Sequence, residues 1–428
     1  MKKEGSKEGK RVKILTDKQE FEGILIKSYD IKIVLLKLSS GYNIGIEKAK
    51  IKKIQVLEKK KKEEFKPKLI KPKAGLPGIA IIVTGGTIAS RLDYETGGVK
   101  ALTKPEEIIA VAPKIQEIAK ITTIEIPFTV MSEDITSEKW KKLAKLCERL
   151  LNKKENKGLI ILHGTDTLHY TAAILSFMLQ DLNKPVVLTY AQRSIDRGSS
   201  DSLLNLTCSA HAALSDIAEV MLIGHATTND NFCFALRGTK VRKMHTSRRD
   251  TFRPINTKPI ATIHEDGKIE KYSEYRKRNV GKVKANLVFD DRVSLIKFHP
   301  NSSSKIIDFY RKQGYKGLVI EATGLGHVST EGKKSWLEAI KRAVKSGMIV
   351  CFAPQCLYGS LNPFVYSALR KLYDSGVLFL KDMLPETAYV KLGFLLGKER
   401  NKERVKELML KNLVGEYNPR LTFGDFLV

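Results

Sequence analysis

Several features that would place this chain of 428 residues in other classes of protein are missing from its sequence. No apolar run reaches the roughly 20 residues that a membrane-spanning helix needs. No apolar segment precedes Arg11, which argues against a secretory signal. The five cysteines are scattered, without a CxxC pair or histidines at metal-ligand spacing, and we expect them to be buried thiols in a reducing compartment. The sequence therefore predicts a cytoplasmic protein that contacts no membrane and binds no metal.

Nucleotide-binding motifs are missing as well. The P-loop pattern GxxxxGK[ST] does not occur. Gly324-Leu325-Gly326 opens no helix with a third glycine at the spacing of a dinucleotide-binding turn. We therefore expect this chain to bind no cofactor by itself.

Acidic residues are too few to balance the basic ones. The chain has 75 Lys and Arg against 47 Asp and Glu, a formal net charge of +28. Such an excess favours a polyanionic partner such as RNA. Lysine-rich surfaces also accompany thermophily or compositional drift, and here the charge is spread along the chain rather than gathered in one block. Composition alone leaves both interpretations open.

The pattern of apolar residues changes along the chain. Residues 9 to 57 contain five short alternating runs separated by turn residues, which predicts a small antiparallel β-barrel of the SH3 or Sm-like kind. From Gly78 onwards buried strands alternate with helices, which predicts α/β domains with parallel sheets. The expected divisions are a barrel domain (1–57), a charged linker (58–77), an α/β domain with the active site (78–280), a second α/β domain (281–400), and a C-terminal helix and tail (401–428).

Two short motifs each follow a predicted buried strand. Thr84-Gly85-Gly86-Thr87-Ile88 comes after Ile79 to Val83, and His163-Gly164-Thr165-Asp166-Thr167 comes after Gly158 to Leu162. Ligands of open α/β sheets bind where the strands end, and paired glycines let the backbone approach a substrate. A hydroxyl becomes a nucleophile when a base and backbone N–H donors lie nearby. Taken singly, such residues are more often turn formers and helix caps, but the two motifs together favour one catalytic site.

Three further segments are candidates for the same site. Met131-Ser132-Glu133-Asp134 is a polar loop at another strand end, which could hold substrate or cap the following helix. Ala89 to Leu102 contains Gly97-Gly98 and predicts a mobile flap. Arg237 to Arg253 is strongly basic and follows no periodic pattern, so that one of its lysines could reach Asp166 while the others face solvent or RNA.

Together, TGGTIA at 84–89 and HGTDT at 163–167 resemble the signature pair of the bacterial-type L-asparaginase family, whose members hydrolyse side-chain amides. The resemblance spans residues 78 to about 400 and implies two asparaginase-like α/β domains. It implies that Thr87 is the nucleophile and that Thr165 and Asp166 pair with a lysine. The family's lysine has a valine before it and a threonine-rich stretch after it, and Lys243 has this context. The implied catalytic residues are Thr87, Thr165, Asp166 and Lys243, and the implied substrate-binding residues are Ser132, Glu133, Tyr94, Gly86 and Gly164.

The N-terminal barrel, the positive charge and the tail Gly415 to Arg420 are similar to the D-subunit family of the archaeal glutamyl-tRNA(Gln) amidotransferases. That resemblance implies a glutaminase or asparaginase subunit that releases ammonia. The implied partner is the amidotransferase E-subunit (GatE), which binds Glu-tRNA(Gln), uses ATP and Mg²⁺, and receives the ammonia through a tunnel. The resemblance also implies that a dimer of the present chain forms the centre of a heterotetramer. In that complex the E-subunit, and not this chain, would bind tRNA(Gln) and the nucleotide.

Two other functions are compatible with the sequence. The chain could be a stand-alone cytoplasmic L-asparaginase with an added barrel, or a non-catalytic RNA-binding scaffold on the same fold. The scaffold is disfavoured because it would not require Thr87, Thr165, Asp166 and Lys243. Glutamine and asparagine differ by one methylene and fit the same chemistry, so the sequence does not choose between them.

Overall fold

The computed structural model describes residues 8–40, 42–57, 75–92, 99–101, 107, 113–179, 181–195 and 197–426. Three sheets follow one another along this part of the chain, with five, eight and four strands. Tyr94, the linker residues 58–74, and residues 105–106 and 108–112 of a helix predicted over Pro105 to Ile118 lie outside the described residues. The rest of that predicted segment contains the short helix α1, Ile115–Ile118.

The N-terminal sheet is antiparallel throughout, with strand order β4-β3-β2-β1-β5. Alternate residues such as Val12, Ile14 and Leu36 are buried, as the apolar-polar alternation predicts. The predicted five antiparallel strands are therefore confirmed. They are β1 (Arg11–Thr16), β2 (Glu20–Ile26), β3 (Ile33–Lys37), β4 (Asn43–Glu47) and β5 (Ile51–Val56).

The central sheet has eight strands in the order β17-β16-β13-β12-β11-β10-β6-β9. Five adjacent strands of this sheet are parallel: β9, β6, β10, β11 and β12. Strands β13, β16 and β17 extend the sheet with antiparallel pairing. The strands are β6 (Gly78–Val83), β9 (Lys120–Glu125), β10 (Asn156–Leu162), β11 (Val186–Thr189), β12 (Val220–His225), β13 (Phe232–Arg237), β16 (Ala261–His264) and β17 (Ile269–Lys271). Its helices are α2 (Ser137–Leu151), α3 (Leu168–Met178) and α4 (Ser202–Leu214).

Two small hairpins accompany this sheet. The predicted flap begins and ends as β7 (Ser90–Leu92) and β8 (Val99–Ala101), which pair with each other. The basic segment Arg237 to Arg253 contains β14 (Val241–Lys243), which pairs with β15 (Phe252–Pro254). The segment contains a strand although its sequence shows no periodic pattern. Arg242 and Lys243 of β14 are basic and pair with Glu386 and Asp166, so the hydrophobic period of a strand is missing.

The C-terminal sheet is parallel, with strand order β18-β19-β20-β21. The strands are β18 (Val293–Lys297), β19 (Gly317–Ala322), β20 (Ile349–Pro354) and β21 (Leu378–Phe379). The helices are α5 (Lys305–Lys312), α6 (Leu337–Lys345), α7 (Ser367–Asp374), α8 (Pro385–Lys398) and α9 (Lys402–Leu410). The expected pair of α/β units is confirmed.

One of the hydrophobic clusters spans the two α/β domains. Helix α3 is buried along nearly its whole length, and α8 of the C-terminal domain packs against it. Phe177 of α3 stacks on Phe394 of α8 with 6.1 Å between ring centroids, and Trp140 packs edge-on against Phe289 at 5.5 Å. Helices α2 and α3, which follow the polar loop and the second motif, are thus packed against the C-terminal domain.

The C-terminal tail is attached through a fully buried ion pair. Lys391 Nζ lies 2.6 Å from Glu416 Oε1, and neither side chain is exposed. The Glu416 carboxylate also accepts hydrogen bonds from the backbone N–H groups of Leu413 and Val414. Removing one member of such a pair leaves a buried charge without compensation.

We therefore expect Glu416→Ala to lower the free energy of unfolding by about 3 to 5 kcal/mol, measured by chemical denaturation. Glu403→Ala breaks an exposed pair with Lys406 and should cost less than about 1 kcal/mol. Equal losses in the two variants would contradict the structural role given to the tail.

Four of the five cysteines are buried, as expected, but Cys356 is exposed. The prediction of five buried thiols was wrong there, because Cys356 follows β20 in a surface loop. Within the described residues, no helix is long and apolar enough to cross a membrane. The N-terminal sheet touches the central domain through Tyr42, whose hydroxyl lies 2.6 Å from Ser199 Oγ.

Candidate active site

The first motif lies between the second motif and the polar loop after β9. Both the backbone N–H and the hydroxyl of Thr84 donate to the carbonyl of Leu162, at 3.0 and 2.9 Å. On its other side, the carbonyl of Thr84 accepts from the N–H of Val130 at 3.1 Å. Three loops that are far apart in sequence therefore meet at one edge of the central sheet.

Glycines allow these loops to approach backbone to backbone. Gly85 and Gly86 have φ values of +118° and +82°, a region that other residues rarely adopt. A Cβ atom on Gly86 would lie 2.4 Å from the Cα of Gly164, which is closer than atoms can pack. Thr87 follows Gly86 and Thr165 follows Gly164, so the two predicted catalytic threonines flank one backbone contact. Thr87 is half-buried and begins a short 3-10 helix, Thr87–Ala89.

Lys243 joins the second motif from β14. Its Nζ donates to Thr165 Oγ1 at 2.9 Å and to Asp166 Oδ1 at 2.7 Å. The Lys243 side chain is 12% exposed, whereas that of Asp166 is 64% exposed. An open cleft of about 260 Å³ lies over Asp166 and Lys243 and is also lined by residues 244–246. An amine, a hydroxyl and a carboxylate are thus in direct contact beside solvent, a set that can move a proton.

Ser132 connects the polar loop to the second motif. Its hydroxyl accepts from the N–H of Asp166 at 3.2 Å, and its carbonyl accepts from the Thr167 hydroxyl at 2.5 Å. Ser132 is 3% exposed, and Glu133 beside it is exposed. Thr136 occupies the N-cap position of α2, and its side chain makes no capping hydrogen bond there. Ser132 therefore lies next to the proposed proton-transfer group rather than at the start of that helix.

A buried hydrogen-bond chain fixes His163, a residue to which the sequence gave no role of its own. Trp140 Nε1 donates to Thr171 Oγ1 at 3.0 Å, and the Thr171 hydroxyl lies 2.9 Å from His163 Nε2. His163 Nδ1 lies 2.7 Å from the carbonyl of Gly164. A proton on Nδ1 satisfies every member of this chain. Its position at the head of HGTDT was the only signal in the sequence.

Burial lowers the pKa of His163 from its usual 6.5 to about 4, against a smaller opposite effect of the Gly164 carbonyl. Between pH 6.5 and 4 the unfolded chain therefore binds a proton that the folded chain does not, so this residue makes stability fall as pH falls. Replacing it should remove up to about 3 kcal/mol of that dependence.

We expect the free energy of unfolding of His163→Gln to change less between pH 7 and 4.5 than that of the unaltered protein, measured by urea denaturation. Gln313→Ala, which removes no titratable group from an exposed position, should leave the dependence unchanged. A His163→Gln protein with the original slope would contradict neutral burial of this imidazole.

The structure thus brings Gly86, Gly164, Ser132, Thr165, Asp166 and Lys243 to one edge of the sheet, with Thr87 directly after Gly86. Tyr94 lies outside the described residues. Among the residues that the structure describes, no group of three or more His, Cys, Asp or Glu side chains is arranged to hold a metal ion. The groups that meet there are hydroxyls, the Lys243 amine, the Asp166 carboxylate and backbone N–H groups, with the exposed Glu133 beside Ser132.

Known proteins are similar to this chain over nearly all of its length. The glutamyl-tRNA(Gln) amidotransferase D-subunit of Thermococcus kodakarensis is 49% identical over 414 residues, which cover 95% of this chain and 92% of that protein. The D-subunit of Pyrococcus furiosus is 47% identical and covers 100% and 99% of the two chains. The chain belongs to the glutamyl-tRNA(Gln) amidotransferase D-subunit family.

Family models divide the match into three parts. Residues 6–57 match the GatD N-terminal domain, residues 78–276 match the N-terminal asparaginase model, and residues 292–409 match the glutaminase/asparaginase C-terminal domain. The asparaginase part of this D-subunit family member contains both motifs and Lys243.

Solved structures confirm the asparaginase-like fold. The thermostable L-asparaginase from Thermococcus kodakarensis superposes with a TM-score of 0.71 at 26% identity, covering 80% of this chain and all of that one. L-asparaginase I from Vibrio cholerae gives a TM-score of 0.68 at 28% identity, again covering 80% of this chain and all of that one. This D-subunit family member therefore has an asparaginase body with an additional N-terminal domain.

Proposed function

We propose that this chain is the amide-hydrolysing component of a glutamyl-tRNA(Gln) amidotransferase. It releases ammonia from the side-chain amide of glutamine or asparagine. The observation that carries the proposal is the contact of Lys243 Nζ with both Thr165 Oγ1 and Asp166 Oδ1, next to the loop that bears Thr87. The names of the relatives support the assignment to the amidotransferase.

In the proposed reaction, the Thr87 hydroxyl attacks the amide carbon of the substrate and loses its proton. Backbone N–H groups of the glycine-containing loops receive the oxyanion. The C–N bond then breaks, the nitrogen takes up a proton and leaves as ammonia, and an acyl ester remains on Thr87. Water hydrolyses this ester, which restores the hydroxyl and releases the amino acid.

Lys243, Thr165 and Asp166 act in this scheme as the group that moves protons. An uncharged Lys243 amine accepts a proton through the Thr165 hydroxyl, which activates the nucleophile in the first step and the water in the second. The Asp166 carboxylate orients the amine or binds the α-ammonium group of the substrate. Ser132, with Glu133 beside it, binds the α-carboxylate end of the substrate. The family resemblance adds Tyr94 as a substrate-binding residue.

The second half of the proposed reaction belongs to a partner, the amidotransferase E-subunit. That protein binds Glu-tRNA(Gln), activates the glutamyl carboxylate with ATP and Mg²⁺, and accepts the ammonia to form Gln-tRNA(Gln). Two copies of each protein form the proposed heterotetramer, and the whole cycle takes place in the cytoplasm. The excess of basic residues suits an assembly that handles a polyanion.

The test is ammonia release from glutamine and from asparagine by the purified chain, alone and with the E-subunit, ATP, Mg²⁺ and Glu-tRNA(Gln). We expect slow release by the chain alone and stimulation by the full mixture, with uncharged tRNA(Gln) as the control. Rapid release without the partner would instead identify a self-sufficient L-asparaginase. No release under either condition would favour the non-catalytic scaffold.

A further inference from the structure

The strand that carries Lys243 is attached to the C-terminal domain by the residues on its other face. Successive side chains of a strand point to opposite sides, so Lys243 and Arg242 face in different directions. Lys240, just before the strand, forms an ion pair with Asp382, and both side chains are almost completely buried. Arg242 Nη2 lies 3.1 Å from Glu386 Oε1. Lys240 and Arg242, which point away from the face that carries Lys243, are therefore both held by acidic residues of the C-terminal domain.

A third bond joins the same two segments. Thr387 Oγ1 donates to the carbonyl of Thr239 at 3.0 Å. We name residues 382–387, which lead into and begin α8, the clamp segment. The clamp segment thus holds this part of the chain at three points: Thr387 binds the backbone at Thr239, Asp382 pairs with Lys240, and Glu386 pairs with Arg242. A strand of three residues has few ladder bonds of its own, so these contacts determine where its side chains point.

The Glu386 side chain is only 8% exposed. Two basic groups approach it: the Arg242 guanidinium, and the imidazole of His169, whose Nε2 lies 3.9 Å from Glu386 Oε1. Burial lowers the pKa of His169 to about 3, so this imidazole is uncharged at neutral pH. Arg242 is therefore the cationic partner of Glu386.

We propose that Glu386 is a positioning residue for Lys243: by holding Arg242, it sets the direction from which the Lys243 amine reaches Thr165 and Asp166. Glu386 itself touches neither Thr165 nor Asp166. Its effect on turnover rests on the proposed function, because it requires Lys243 to move protons. Its effect on the placement of the Lys243 amine does not depend on the proposed function.

The experiment compares Glu386→Gln with the unaltered chain in two measurements, made with the full amidotransferase complex and with the purified chain. The first is kcat and KM for ammonia release, where we expect kcat to fall by about tenfold to a hundredfold, since an ångström of misplacement costs that much. KM should change by less than about threefold, because no substrate contact is removed.

The second measurement is the extent of acetylation of Lys243 by acetic anhydride, determined by peptide mass spectrometry. Lys243 is shielded by its two hydrogen bonds and should become several times more reactive in Glu386→Gln. Lys391 is fully buried in the same domain as Glu386 and should stay unreactive, which shows that the domain has not loosened. Asp308→Asn is the matched control, because it removes an acidic partner of arginine elsewhere in that domain.

A double-variant cycle tests whether the effect passes through Arg242. Arg242→Gln combined with Glu386→Gln should lower kcat no further than either change alone. Unchanged Lys243 labelling together with unchanged kcat would overturn the proposal, and so would a parallel rise in Lys391 labelling. If Lys243 becomes reactive in Glu386→Gln while the unaltered chain releases no ammonia under either condition, the positioning holds and the proposed function fails.

Discussion

Thr87→Ala is expected to lower kcat for amide hydrolysis by about a thousandfold or more. The alanine side chain cannot form the acyl ester, so the covalent route is lost, while the backbone N–H groups and the substrate contacts stay in place. The measurement is steady-state ammonia release from glutamine and asparagine, under whichever condition gives the faster rate with the unaltered chain. A burst of bound acyl group in single-turnover experiments should disappear in parallel.

The matched control is Thr16→Ala in the N-terminal sheet, where the threonine hydroxyl donates to the carbonyl of Gln19 and accepts from its backbone N–H. That variant should keep its hydrolytic rate. If Thr87→Ala retained more than about a tenth of the activity, Thr87 would not be the nucleophile. Thr165→Ala would then become the decisive variant, because its hydroxyl is the one in contact with an amine.

Lys243→Met is expected to lower kcat by about a hundredfold to ten-thousandfold, the usual contribution of a positioned acid or base. Methionine keeps most of the aliphatic stem but removes the amine that contacts Thr165 and Asp166. Since Lys243 and Thr165 act as one unit, the double variant with Thr165→Val should lose little more than Lys243→Met alone. The measurement is again kcat for ammonia release, together with the melting temperature.

Lys268→Met serves as the control, since that lysine forms an exposed ion pair with Glu270. Its activity should match that of the unaltered chain. Full activity in Lys243→Met with an unchanged melting temperature would remove Lys243 from the mechanism and leave only its structural contact with the second motif.

The parallel strands and the two motif loops could be predicted because their sequence signals are local. Runs such as Ile79 to Val83 and Gly158 to Leu162 are β-branched, apolar and too short for helices, and each ends in a glycine-containing turn. The contact between Lys243 and Asp166 followed from a family resemblance, and the structure places both side chains at hydrogen-bond distance. The catalytic roles of these residues remain predictions.

Elements that depend on partners far along the chain could not be predicted. Helix α8 is buried on almost every side, so it lacks the one-sided apolar pattern that indicates a surface helix. Strand β14 is basic where a strand is usually apolar, because Arg242 meets Glu386 across a domain boundary. A carboxylate in α8 gives no local sign that it holds the strand of a lysine in another domain.

Because α3 and α8 pack in one hydrophobic cluster, the part of the chain that carries the proposed catalytic residues is smaller than the part that must fold together. Every proposed catalytic residue lies between positions 78 and 276, within a single family match. A fragment cut there would still lose Phe394, which stacks on Phe177, and Phe289, which packs on Trp140. Its apolar surface would be open to water and to other copies of itself. We therefore expect residues 78–276 to fold poorly when they are joined to an unrelated domain. Exchange between relatives should succeed when both α/β domains are exchanged together.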